Sequence, residues 1–417
     1  MMDSHVPLTR CGALAAWAAF LPEVGVYACR RSYVGQPPHG GVSRLSAALR
    51  HRLLTEDEVI SDTLRTYDFH AAGKWLQEVC WRRYWKGWLE MRPDVWTSWR
   101  RRVHELSVTL PADVMRRAWA VASGASGVAC MDAIARELNS TGYLHNHARM
   151  WWASFWIHAE GLPWELGADW FFRQLLDADP ASNTLSWRWV AGLQTVGKPY
   201  LVRLCNLEKY AGAALLADRR GSGRIADGAV QAAPVEEFAV TARGPLPGFA
   251  TAFTPTGRRI GLWLHADDLL PERGPLENLK PVAIAGFSST RSYQHFYKLG
   301  VQRINALHTV LGDGAARAGQ HFQVPAHVGH DDDPVTGLML WAGANSLDEV
   351  VAFAPTVGPV RDMVPRLQRH LVAANVRLTL IRRASDTHAF GLSSAGFFPF
   401  WKKMSRHLET PAASSGA

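Results

Sequence analysis

Four short stretches of this chain hold side chains that are expensive to bury and therefore call for a reason. Glu78, Trp81, Arg82 and Trp85 are spaced i, i+3, i+4 and i+7, so on a helix they share one face. A carboxylate, a guanidinium and two indoles meet there, where a plain core face would carry Leu and Val. An internal ion pair flanked by packing tryptophans accounts for this face as well as a ligand does. In Leu144-His-Asn-His-Ala-Arg-Met150, Asn146, Arg149 and Met150 fall on one side, placing an amide, a cation and a thioether together. His145 and His147 are two apart and point to different sides, which argues against a shared metal. In Asp177-Ala-Asp-Pro-Ala-Ser-Asn183, Asp179 is suited to cap a helix whose first residue is Pro180. Asn183 and Trp187 are then i, i+4 neighbours with Trp189 just round the helix. Capping and core aromatics explain Asp179 and Pro180 without any ligand. Gly40 to Ser46 (GGVSRLS) offers small residues, hydroxyls and backbone amides before a helix, a set suited to a phosphate.

The elements that must position these groups follow from the rhythm of the chain. Residues 1 to about 210 repeat apolar positions at three and four, with short polar breaks, and read as all-α. From Ala211 to about Pro255 the text turns to Gly, Ala, Arg and Pro, a connector with little core. Beyond it, apolar runs at Ile260 to Leu264, Val282 to Phe287 and Gly337 to Trp341 alternate with helical patterns at Tyr293 to Leu311 and Val360 to Ala374, followed by a strand at Val376 to Ile381. Such alternation predicts βαβ units and a mostly parallel, Rossmann-like sheet. The expected division is a helical domain over 1–212, a linker over 213–255 and an α/β domain over 256–417. Two domains also suit 417 residues, since single cores stop growing at about 250 to 300.

Composition excludes several classes. With 47% hydrophobic and 20% charged residues the chain is neither disordered nor fibrous. A formal charge of +8 permits a polyanionic partner without identifying one. Five cysteines with no CxxC pair build neither a zinc knuckle nor an iron-sulfur set and suit a reducing cytoplasm. The apolar run Cys11 to Leu21 is broken by Pro22 and Glu23, so neither a secretion signal nor a membrane span is expected. Tryptophan stands out: 18 are present, many clustered at 75–99, 151–170 and 187–189.

Taken in order, the stretches FLPEVGVYACRR, GVSRLSAALR, WLQEVCWRRYWKGWL, LNSTGYLHNHARMWWASF and LLDADPASNTLSWRWVAGLQTVGKPYLVR resemble the catalytic domain of DNA photolyases and cryptochromes. The resemblance runs from about Leu14 to Tyr210, and five motifs in family order are far more specific than one. It implies a helical domain holding FAD, with Tyr27 and Ser43, Arg44, Leu45 and Ser46 on the cofactor, the latter four at its phosphates. It also implies Arg82, Arg149, Asp177, Asp179 and Asn183 around the flavin, Asn183 beside N5. By the same resemblance Glu78, Trp81, Asn146, Met150 and Trp189 would line a pocket for a pyrimidine dimer flipped out of damaged DNA. Trp164 and Trp187 would relay electrons to oxidised FAD.

The implied activity is light-driven splitting of cyclobutane pyrimidine dimers by electron transfer from reduced flavin; the alternative is a light receptor that binds FAD without repair. Met150 stands where (6-4) repair proteins resemble one another in a histidine. Three departures matter. His147 replaces the usual arginine, a phosphate contact. The third relay tryptophan is missing, with aliphatic Leu106 nearest and Trp96, Trp99 and Trp119 as possible substitutes. The α/β segment follows the helical one, where the family places an antenna domain first, so GRRIGLWLHADDLLPE and SSAGFFPFWKKM suggest a swapped antenna-like domain whose pigment is unknown. A third class, a nucleotide-binding module or a metal enzyme using His327, His330 and Asp331 to Asp333, competes with the simpler reading of a solvated acidic loop. No metal is expected.

Overall fold

A computed structural model describes residues 6–35, 40–235, 242–288, 293–330 and 333–409. Its first half is helical: α1 Arg10–Phe20, α2 Tyr27–Arg30, α3 Ser46–Arg50, α4 Glu56–Thr66, α5 Phe69–Glu90, α6 Asp94–Thr109, α7 Ala112–Ser123, α8 Ala129–Thr141, α9 Asn146–Ser154, α10 Trp164–Gln174, α11 Pro180–Val190 and α12 Leu204–Tyr210. Their limits are written in the sequence. Thr55 and Glu58 form a reciprocal capping box on α4, the Asp68 carboxylate accepts from His70 and Ala71 N–H to start α5, and left-handed Gly124 and Gly142 end α7 and α8.

The second half holds five parallel strands, β1 Ile260–Leu264, β2 Ala283–Phe287, β3 Ala326–Gly329, β4 Glu349–Phe353 and β5 Arg377–Ile381, in the order β3-β2-β1-β4-β5. Strands β1, β2 and β4 are buried along their whole length, as parallel strands covered on both faces must be. The helices here are α13 Val301–Phe322, α14 Pro334–Ala344, α15 Pro359–Ala373, α16 Ala384–Leu392 and α17 Phe397–Glu409. The chain is thus a helical half plus an α/β half, as its patterning predicted.

Several expectations need correction. Gly337 to Trp341, read as an apolar run in a strand rhythm, lies inside α14, because Asp333 caps that helix and Pro334 takes its first position. The helix expected from Tyr293 begins at Val301, after a single π turn at Tyr293–Tyr297. Strands β3 and β4 were not foreseen: His327 breaks the apolar character of the four-residue β3, and β4 opens on the buried Glu349. Arg10–Arg30 does form one helical stretch of length and hydropathy sufficient to cross a membrane. Pro22 opens a 3-10 turn instead of stopping the chain, since a first-turn residue needs no N–H. Trp17, Phe20, Val24 and Tyr27 of that stretch pack into the core.

In open α/β sheets the crevice lies at the carboxyl ends of the strands, where the order reverses. Here that is the end of β1 and β4, and the helical half fills it. The His51 ring donates from Nδ1 to the Ala266 carbonyl at 2.6 Å, Arg50 meets Asp267 at 2.8 Å, and Glu90 accepts from Val357 N–H at 2.8 Å. Gly358, at φ +148°, comes so near the start of α11 that a Cβ would stand 2.5 Å from Pro180 Cγ. The α/β half therefore aims its strand ends at Asp179 and Pro180.

Candidate functional site

The predicted face of α5 forms, and it meets the start of α11. Asp179 caps α11, its Oδ1 accepting from the N–H groups of Ala181 and Ser182 at 3.0 Å each. Its other oxygen faces three cations: Arg82 Nη2 at 3.0 Å, Lys86 Nζ at 3.6 Å and Arg50 Nε at 3.8 Å. Burial alone would raise this carboxyl, but the three cations win and hold it well below the usual carboxylate range. Lys86 is pulled down by burial, with Asp179 opposing the shift. Arg82 also faces Glu56 Oε1 at 3.3 Å, so the cations are spread over several carboxylates.

A second pair lies alongside. Arg149 grips Asp177 through both oxygens, at 3.1 and 2.9 Å, while its Nε donates to the Leu144 carbonyl. That geometry is the strong bidentate one and keeps the buried Asp177 ionised, its carboxyl held below the ordinary range against desolvation. Asn183 is buried and donates to the Ala168 carbonyl at 2.8 Å, which fixes its amide on α11. Tyr27 is buried near Glu78 and Arg31, and its hydroxyl is raised by desolvation. In the loop before α3, Arg44 adopts a left-handed φ of +55° and Gly41 one of +83°, and Leu45 is fully buried. Arg44 Nη1 is buried with no hydrogen-bond partner, a donor waiting for an acceptor.

The residues expected to face a substrate are placed differently. Glu78 bridges Lys74 at 2.8 Å and Arg31 at 3.1 Å. Asn146 is exposed, with its amide 3.8 Å from the Met150 sulfur, and Trp189 stacks on Tyr200 at 5.7 Å between centroids. Trp81 is covered: Phe397, the first residue of α17, lies parallel to its ring at 3.4 Å and 6°. His147 turns inward, donating to the Ser32 carbonyl and stacking on Trp151, and burial lowers its pKa. It is a packing residue.

Both relay candidates are buried. Trp187 lies against α10 where Gly167 leaves room, since a Cβ there would overlap its ring, and Trp164 sits one turn earlier on the same helix. Trp96 and Trp99 pair with each other and with Phe172, and Trp119 is 65% exposed. Of the alternative metal set, His330 Nδ1 lies 3.2 Å from Ser288 Oγ and Asp333 caps α14 and pairs with Arg366; Asp331 and Asp332 fall outside the described residues. Among the described residues no group of three His, Cys, Asp or Glu converges.

Lys86 and Arg50, which complete the surroundings of Asp179, and Asp267, which pairs with Arg50, were not among the predicted residues. Lys86 continues the row Glu78, Arg82 by one more turn, so the periodicity contained it. Arg50 and Asp267 lie in different halves and only the fold joins them. Phe397 left no signal.

Part of this chain is similar to known proteins. Residues 75–213 match a family described as the FAD binding domain of DNA photolyase. A deoxyribodipyrimidine photo-lyase of Escherichia coli is 32% identical over 213 residues, 47% of this chain and 42% of that protein. One of Streptomyces griseus is 38% identical over 158 residues, 38% of this chain and 33% of its own length. The chain thus spans less than half of the curated relatives it matches. Among solved structures, a class III photolyase from Agrobacterium tumefaciens aligns at TM-score 0.42 and 27% identity, over 48% of this chain and 42% of the other. A Synechocystis cryptochrome aligns at TM-score 0.42 and 23% identity, over 48% and 43%.

Proposed function

We propose, from the premise that the helical half of this chain belongs to the photolyase/cryptochrome family and carries its FAD binding domain, that the protein is a light-driven repair lyase splitting cyclobutane pyrimidine dimers in DNA. The observation that carries the reading is the set at the start of α11: Asp177 gripped by Arg149, Asp179 ringed by Arg82, Lys86 and Arg50, and a buried Asn183 fixed on the Ala168 carbonyl. The residues fit a flavin dinucleotide. Arg44 Nη1 is a buried donor without a partner in a left-handed turn, suited to a phosphate, and strained backbone of this kind persists where surroundings over-determine it.

Bound and reduced, FAD supplies a photoexcitable one-electron donor. The chain's own groups do the rest. Tyr27 and Ser43 to Ser46 hold the cofactor; Arg82, Arg149, Asp177, Asp179 and Asn183 surround its ring and keep water from it. Glu78 and Asn146 hydrogen-bond the pyrimidine edges, Met150 closes one side, and Trp81 and Trp189 offer flat apolar walls to unstacked bases. The α/β half is an antenna-like domain in swapped order, with the domain divisions at about 212 and 255.

A second reading, a flavin-binding light receptor without repair, is favoured by one observation: Phe397 occupies the Trp81 face on which a flipped base would stack. The test uses purified protein that absorbs as a flavoprotein. It is chemically reduced and illuminated with DNA containing cyclobutane dimers. Loss of dimers only in the light is expected; intact dimers beside a bound, reduced flavin would overturn repair in favour of the receptor.

A further inference from the structure

The aligned relay lacks its outer tryptophan, and the structure supplies another route. Trp187 lies 6.3 Å from Trp152 between ring centroids, and Trp152 lies 4.4 Å from Trp170 at an interplanar angle of 33°. We propose that Trp187, Trp152 and Trp170 form the electron relay of this protein, with Trp170 as its terminal donor; this rests on the flavin reading above. Solvent is met only at the outer end: Trp187 is 2% exposed, Trp152 is wholly buried, and Trp170 is half-buried.

Proton chemistry sets the direction. One electron leaves Trp187 for the photoexcited flavin and the hole it leaves is filled from Trp152, then from Trp170. The indole N–H groups of Trp187 and Trp152 are buried and have no hydrogen-bond partner, so neither cation radical has a base to which it can lose its proton. The hole stays mobile until Trp170, where water takes the indole proton and leaves a neutral radical. An added thiol then returns one electron and one proton, restoring the indole. Trp156, 5.2 Å from Trp152, is a dead end, being 2% exposed with its N–H donated to the Pro163 carbonyl. Phe171 fills the corner between Trp187 and Trp152 at 5.1 and 5.5 Å and is too hard to oxidise to compete. The rival branch from Trp164 toward Trp99 and Trp96 ends in indoles 2% and 1% exposed, and Leu106 carries no redox chemistry.

The test compares photoreduction of bound, oxidised flavin under blue light with a thiol present. Trp152→Phe and Trp170→Phe should slow it on the order of tenfold at unchanged flavin content. Trp99→Phe should leave it near wild type. Trp170→Tyr, which keeps an oxidisable ring with a proton to lose, should retain most of the rate, a distinction no packing role would make. Without flavin, the exciton couplet of the Trp152/Trp170 pair in circular dichroism should vanish in either phenylalanine variant while the helical signal persists. Photoreduction that survives Trp170→Phe, or fails in Trp99→Phe instead, overturns the relay and leaves the flavin reading standing. A chain that takes up no flavin overturns both.

Discussion

Asp179 caps α11 with one oxygen and serves as the shared anion of Arg82, Lys86 and Arg50 with the other, so its two oxygens can be separated by substitution. Asp179→Asn keeps an acceptor for the N–H groups of Ala181 and Ser182 but removes the charge. Asp179→Ala removes both, adding the loss of an N-cap at about 1 kcal/mol to the cost of stranding buried cations, about 3 to 5 kcal/mol when one partner of a buried pair is deleted. Urea unfolding should rank wild type above Asn and Asn above Ala, and flavin uptake should fall in both variants. Equal stability of Asn and wild type would mean the three cations draw little from this carboxylate. Much of this residue-scale chemistry was legible in advance. A carboxylate before a proline announces a cap, and Glu78, Trp81, Arg82 and Trp85 announce a face by spacing alone. What spacing did not reveal is who else would come: Arg50 reaches Asp179 from α3, and Asp267 joins Arg50 only when the two halves dock.

At the scale of elements, α5 is the axis on which the site turns. One face meets α11, and another is so close to α16 that a Cβ on Gly87 would lie 2.6 Å from Phe390 Cα and from Ser393 Oγ. Gly87→Ala must push backbone away, at about 1 to 3 kcal/mol for overpacking, visible as a lower denaturation midpoint. Helix α17 follows and lays Phe397 over Trp81, while Tyr84 donates to the Ala395 carbonyl at 2.9 Å to anchor the turn before it. If Phe397 excludes an unstacked base, Phe397→Leu, which frees the flat face of Trp81 while keeping an apolar side chain in the core, should bind dimer-containing DNA more tightly than wild type in fluorescence anisotropy. Unchanged affinity would mean that DNA does not approach Trp81. No sequence pattern pointed here, since stacking between residues so distant in the chain has no period. Periodicity likewise failed at Gly337 to Trp341, where five apolar residues fit a strand as well as a buried helix and the cap at Asp333 decided the matter.

Over the whole molecule, the two halves were separable in the text by their rhythm, but the seam between them was not, for it is made of charge. Arg52 meets Asp386 at 2.9 Å, Arg50 meets Asp267 at 2.8 Å, and Arg382 meets Glu90 at 3.2 Å, all buried. Burying such groups is tolerated only in pairs, which makes docking selective for the partner that supplies the opposite charges. Within this seam His51 is fully enclosed, and its pKa is pushed down to about 3, first by burial and then by Arg50, with the Ala266 carbonyl, to which it donates, and Asp267 opposing and Arg303 adding to the fall. A histidine neutral when folded but ordinary when unfolded gains its proton only on unfolding. Its contribution to stability is therefore complete above the unfolded value of about 6.5 and is lost as pH falls toward 3, with a slope approaching about 1.4 kcal/mol per pH unit. The carboxylates Asp179, Asp267 and Asp386, all lowered, add their losses below the ordinary carboxylate range, in a separate, more acidic window. His147 and His158 are lowered in the same direction as His51, so a variant is needed to isolate it. His51→Gln keeps an N–H donor for the Ala266 carbonyl without a titrating proton. Urea midpoints measured from pH 7 to pH 4.5 should fall more steeply for wild type than for this variant. Parallel curves would mean that His51 is not held neutral at the seam and that the helical half does not close over the ends of the strands.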